Sequence, residues 1–187
     1  KLRFGQDIVF TFGPYGFLYC DPSLGQHLLM RYASAWFLAL VIGYLVVRTC
    51  SELKPWIGWT LLGWCALMLD VESRAYLVIG LGALNLLLFR DGLKAAIPVV
   101  TALALLSLIK FTFAVAAAVI VAVVVLTLVA TQNRRAAIQV AVGYLTAVVT
   151  LWLLAGQPLM NLPVYARTSM DVAGGYSAAM GNLPFAG

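Results

Sequence analysis

Residues 111–133 carry no charged side chain, and all but a handful are apolar. About 20 such residues make a helix long enough to cross a hydrocarbon core about 30 Å thick. Backbone groups inside lipid have no water to bond, so the run must be helical. This holds even though its β-branched stretch 119–125 would favour a strand in water. The rest of the chain has the same character. Of 187 residues, 63% are hydrophobic and 10% charged, and the mean hydropathy is +0.98. A soluble domain has about 45–50% apolar and about 25% charged residues. These values exclude a soluble globular protein, a disordered chain and a disulfide scaffold, and they imply a lipid bilayer as the main partner.

Five further apolar runs occupy 28–47, 56–69, 75–89, 95–109 and 136–155, separated by short polar turns. The expected fold is therefore all-α: a polytopic transmembrane helix bundle of about six spans with extracytoplasmic interfacial loops. Its parts are a loop at 1–27, the bundle at 28–155, and a second loop or amphipathic helix at 156–187. The first segment is broken by Asp7, Pro14, Asp21 and Pro22 and cannot span. The runs at 56–69, 75–89 and 95–109 are only about 14 or 15 residues long. They borrow flanking residues or thin the bilayer, or else they are re-entrant or buried segments. Ala114, Ala118 and Ala122 fall four apart, which either gives one helix a small packing face or reflects an alanine-rich run. Gly80 and Gly82, inside a hydrophobic run, read as helix-packing glycines. The chain opens on Lys1, so a fragment of a longer protein is expected, with the remainder of the same polypeptide completing any site.

Charge sets an orientation. Twelve Lys and Arg against seven Asp and Glu give a net charge of +5. With six spans, Arg48, Lys54, Arg90, Lys94, Arg134 and Arg135 share one side, which the positive-inside rule makes cytoplasmic. Asp7, Asp21, Asp70, Glu72 and Asp171 fall on the other side. Trp56 and Trp59 are expected at the inner interface, and Phe111, Phe113 and Trp152 at the outer one. No basic patch is interleaved with exposed aromatics, so no nucleic-acid partner is expected. Cys20, Cys50 and Cys65 match no metal or redox spacing and read as packing residues.

The outer loops hold the candidate chemistry. Asp7 precedes an aromatic run turned by Gly13-Pro14 and is either a cap or a functional acid. Asp70 and Glu72 lie two residues apart between two apolar runs. Their repulsion is relieved by a hard divalent cation such as Mg²⁺, Mn²⁺ or Ca²⁺, or by Arg74 in a solvated hairpin. Lys110 emerges on the same side and either binds a lipid phosphate or snorkels. His27, a lone interfacial histidine, reads as structural. In the tail, 162–173 is expected to form an interfacial amphipathic helix, with Arg167 and Asp171 one turn apart.

An acid in the first outer loop followed by an acidic pair in the second resembles the GT-C superfamily of membrane glycosyltransferases. Gly5-Gln6-Asp7 followed by Phe10-Thr11-Phe12-Gly13-Pro14 resembles the start of large bacterial membrane proteins of that type. The resemblance implies a bacterial inner-membrane enzyme that moves a sugar from a polyprenyl-phosphate-linked donor to an extracytoplasmic acceptor. Asp7 would be the catalytic base or a metal ligand. Asp70 and Glu72 would bind Mg²⁺ or Mn²⁺ or the donor phosphate, and Lys110 and Arg74 would be the basic residues for the donor. Two rivals remain at the level of sequence: a transporter or lipid flippase, and a non-catalytic membrane assembly subunit.

Overall fold

The computed structural model describes residues 12–19, 28–52, 56, 57, 60, 63, 71–88 and 93–181. Asp7, His27 and Asp70 lie outside them, as does most of the run 56–69. The described residues form six α-helices and no strand: α1 Leu28–Glu52, α2 Val71–Leu88, α3 Leu93–Ser107, α4 Phe111–Ala130, α5 Arg134–Leu154 and α6 Asn161–Gly181. Among the described residues, three segments are long and apolar enough to cross a membrane: Leu28–Ser51, Phe111–Ala130 and Arg134–Leu154.

The shortest of these helices is the central one. At about 1.5 Å per residue, the 15 residues of α3 reach about 22 Å, short of a hydrocarbon core. Residues 102–107 are all buried, so this half of α3 meets protein on every face, whereas Ile97 near its start is exposed. It packs on α1, α2, α4 and α5. In the structure this run is a helix packed among the others, for the most part buried.

The long helices show the reverse pattern. Trp36, Leu40 and Val47 of α1, Leu126 of α4, and Ile138, Leu145 and Leu154 of α5 are exposed. Large apolar side chains spread over several outer faces need a covering layer, and lipid supplies it. On α4 the buried stripe is Phe113, Ala117, Val121, Val124 and Leu128. Ala118 and Ala122 are exposed, so the alanines four apart do not form the packing face. Gly82 does pack closely: a Cβ there would meet Val99 Cγ1 at 3.0 Å, whereas one on Gly80 would meet open space.

Two buried polar bonds cross between helices, Asn85 Nδ2 to Thr49 Oγ1 at 3.0 Å and Ser107 Oγ with Tyr144 Oη at 2.7 Å. Both satisfy polar groups that would otherwise be costly in an apolar bundle.

The α4–α5 turn has an unusual cap. The N–H of Asn133 donates to Leu128 O at 2.8 Å and that of Gln132 to Val129 O at 3.0 Å, closing a Schellman motif. The left-handed position is Gln132, at φ 62°, where glycine is the usual occupant. At the end of α5 the same motif does use glycine, Gly156 at φ 69°. Gln132→Gly is therefore expected to stabilise the protein by about 1 kcal/mol, read as a shift in its unfolding midpoint in mixed micelles.

Candidate functional site at one end of the bundle

Gly13-Pro14 begins a tight turn, with the Gly16 N–H donating to Gly13 O at 2.8 Å, and a 3-10 turn, Gly16–Leu18, follows. Pro14 presets the backbone of the second turn position. The segment lies against the α3–α4 junction like an added strand. Phe12 and Lys110 form an antiparallel bridge. The Gly13 N–H donates to Ile109 O at 3.0 Å, and the Tyr15 N–H to Leu108 O at 3.1 Å. Buried Tyr15 then donates its hydroxyl to Leu151 O at 2.9 Å, near the end of α5. A Cβ on Gly13 would sit 2.2 Å from Leu108 O, so the close approach requires glycine.

This docking brings Tyr19 to Glu72 and Lys110. Tyr19 Oη donates to Glu72 Oε1 at 2.6 Å, and Lys110 Nζ donates to the same oxygen as an ion pair. The ammonium also lies 3.4 Å from Tyr19 Oη. Aromatic rings surround it, with centroids at 4.6 Å for Tyr19, 5.8 Å for Phe113 and 5.9 Å for Phe12. Tyr76 closes on Phe113 edge to face at 5.5 Å. Ring faces attract a cation, and the carboxylate completes its shell. The Lys110 side chain is 20% exposed and that of Glu72 46%, so water reaches the pair.

The electrostatics follow from these contacts. Partial burial pulls the Lys110 ammonium down, but the hydrogen bonds to Glu72 and Tyr19 outweigh it and leave the pKa above the usual lysine value. The Tyr19 hydroxyl is raised, first by its bond to Glu72 and then by burial. Burial raises Tyr15 too, and it pushes Tyr165 of α6 up to about 12 against the opposing bond to Ser169. All four values lie above those of the unfolded chain. Their contribution is full below about pH 10 and is lost as pH rises through the folded values. Stability is therefore expected to be flat across neutral pH with respect to these groups and to fall above about pH 10. A 295 nm titration should show a late tyrosinate step near pH 12 for Tyr165.

Of the residues singled out from sequence, the structure brings Glu72 and Lys110 together. Arg74 is exposed on the same helix as Glu72. Asp7 and Asp70 lie outside the described residues, and so does their spacing from Glu72. Among the described residues, no three His, Cys, Asp or Glu gather to hold a metal ion. Sequence reasoning did not single out Tyr19, Phe12, Phe113 or Tyr76 as site residues. The available signal was the density of aromatics in the first segment. Phe111, Phe113 and Trp152, expected in an interfacial belt, are instead buried in this end of the bundle. Trp152 donates its indole N–H to Pro158 O at 2.9 Å.

The described residues are all-helical, with three helices long and apolar enough to cross a bilayer and a polar cluster at one end, the features of the class of helical membrane proteins. No family model, curated protein or solved structure matches the chain.

Proposed function

We propose that the protein is a GT-C-like membrane glycosyltransferase, acting on a polyprenyl-phosphate-linked sugar at the extracytoplasmic face of a bacterial inner membrane. The observation that supports this reading is the cluster of Lys110, Glu72 and Tyr19. Three parts of the chain distant in sequence meet there, beside the start of the apolar helix Phe111–Ala130. A lipid-borne phosphate lies at that height when the helix spans a bilayer. The six-span layout, with 1–27 and 156–187 outside, belongs to the proposal. Its support is that 12–19, Glu72, Lys110 and the α5–α6 turn share one end of the bundle.

In this scheme the acceptor hydroxyl attacks the anomeric carbon, and the bond from that carbon to the phosphate oxygen breaks. The acceptor proton passes to a carboxylate, assigned to Asp7. Lys110 stabilises the charge that builds on the leaving phosphate. Glu72 and Tyr19 hold the ammonium until phosphate takes their place. Mg²⁺ or Mn²⁺ at Asp70 and Glu72 is an expectation from the spacing of the two acids and from the resemblance. Glu72 Oε1 already faces an ammonium, an arrangement poorly suited to a second cation, so no step is routed through a metal.

The test is turnover of polyprenyl-phosphate-linked sugars by the purified protein in lipid. Transfer that collapses in Asp7→Asn and Lys110→Met supports the scheme. Equal turnover by wild type and variants removes the site assignment. A second reading, a non-catalytic membrane assembly subunit, is favoured by one observation: Lys110 and Glu72 already satisfy each other. It expects no turnover with any donor and a stable complex with another chain.

A further inference from the structure

Helix α6 is turned inside out for a helix lying in water. Among the described side chains of this helix, Asn161, Tyr165 and Ser169, four residues apart, are the buried ones, and the first and last are polar. Its outward stripe begins with Met160 in the preceding turn, 85% exposed, and continues through Val164, Arg167 and Asp171, all exposed. These positions share one helical face, so polarity changes along the axis rather than around it. Leu159 and Met170 flank the stripe and are also exposed. Its apolar beginning continues the exposed edge made by Leu153 and Leu154 at the end of α5, one of the helices apolar enough to cross a membrane.

We propose that α6 inserts obliquely into the outer leaflet, with lipid as its partner. The stripe matches the profile of a leaflet read outward. Met160 and Val164 lie among acyl chains, Arg167 at the level of lipid phosphates, and Asp171 in water. Eleven residues at about 1.5 Å each separate the two ends by about 16 Å when the helix stands upright, and by less as it tilts. The polar inward face then has a physical reason. Asn161 and Ser169 are covered by the bundle because lipid occupies the outer side. This assignment rests on the proposed layout, with 156–187 outside, and not on the glycosyltransferase chemistry.

The test uses nitroxide labels placed singly at Met160, Val164, Arg167 and Asp171, with Leu145 of α5 as a lipid-facing reference. The native cysteines are replaced, and the protein is reconstituted in phosphatidylethanolamine–phosphatidylglycerol vesicles. Labels at 160 and 164 should match 145 in preferring oxygen as the relaxing agent. The label at 171 should prefer a water-soluble nickel chelate several-fold, with 167 between. Nickel access at 160 and 164 equal to that at 171 would place the helix in water and overturn the proposal. Exclusion of both reagents at 160 and 164 would show a protein partner, such as a second copy, and would overturn it equally.

Discussion

Gly13→Ala is expected to unseat the first segment from the bundle at a cost of about 3 kcal/mol, near the upper end for overpacking. The added Cβ would lie 2.2 Å from the oxygen and 2.8 Å from the carbon of the Leu108 carbonyl. Those are backbone atoms at the end of the central helix and cannot swing aside as a side-chain tip can. Relief comes only by lifting residues 12–19, which breaks the Gly13–Ile109 and Tyr15–Leu108 bonds and withdraws Tyr19 from Glu72. The variant should unfold at lower denaturant in mixed micelles. Its Tyr19 ionisation should return toward the ordinary value, since the bond to Glu72 is the main cause of its shift. A wild-type unfolding midpoint in the Gly13→Ala variant would show that the close approach does not persist in the membrane. A Cβ on Gly16 would lie 2.8 Å from Phe12 Cβ, an atom fixed to its own backbone, so Gly16→Ala is also expected to destabilise, by distorting the docked segment itself.

On the proposed glycosyltransferase reading, Lys110→Met is expected to lower sugar transfer about a hundredfold, the scale of one lost charge-stabilising donor. Its effect on stability should be far smaller. The pair is reached by water, so screening limits the coupling to about 1 kcal/mol or less in a double-mutant cycle with Glu72→Gln. The two readouts separate the roles. A large fall in turnover with a small coupling marks Lys110 as a group that meets substrate. A large coupling with no change in turnover marks the cluster as a brace between the first segment, α2 and the α3–α4 junction. Lys110→Arg keeps the charge and should recover part of the activity, because a phosphate accepts either cation.

Much of the helical architecture was legible before any coordinates. The charge-free run at 111–133 was expected to be a helix, and Phe111–Ala130 is one, long and apolar enough to cross a membrane. The polar turns expected at Lys110 and Asn133 do cap helices, but α1 continues through the expected turn as far as Glu52, and α2 begins at Val71, so Glu72 and Arg74 are helical where a loop was expected. The site was legible in part. Glu72 and Lys110 stand out in the sequence as outward-facing charges, but the sequence offers each a partner close by in the chain or in the lipid. Periodicity carries no information about a contact between residues 38 positions apart.

Hydrophobicity along the chain, by itself, determined that this protein is helical and made for a membrane, because lipid leaves an unpaired backbone no alternative. Only tertiary structure decided that the shortest helix, of 15 residues, becomes the centre of the bundle. The same is true of the packing face of α4, which is Phe113–Ala117–Val121 and not the alanine stripe beside it, and of the pairing of Lys110 with Glu72 under Tyr19. In a chain this apolar nearly every face of a helix is greasy enough to be buried or to meet lipid. Which face is buried depends on shape and on a few polar contacts, and both exist only once the helices have come together.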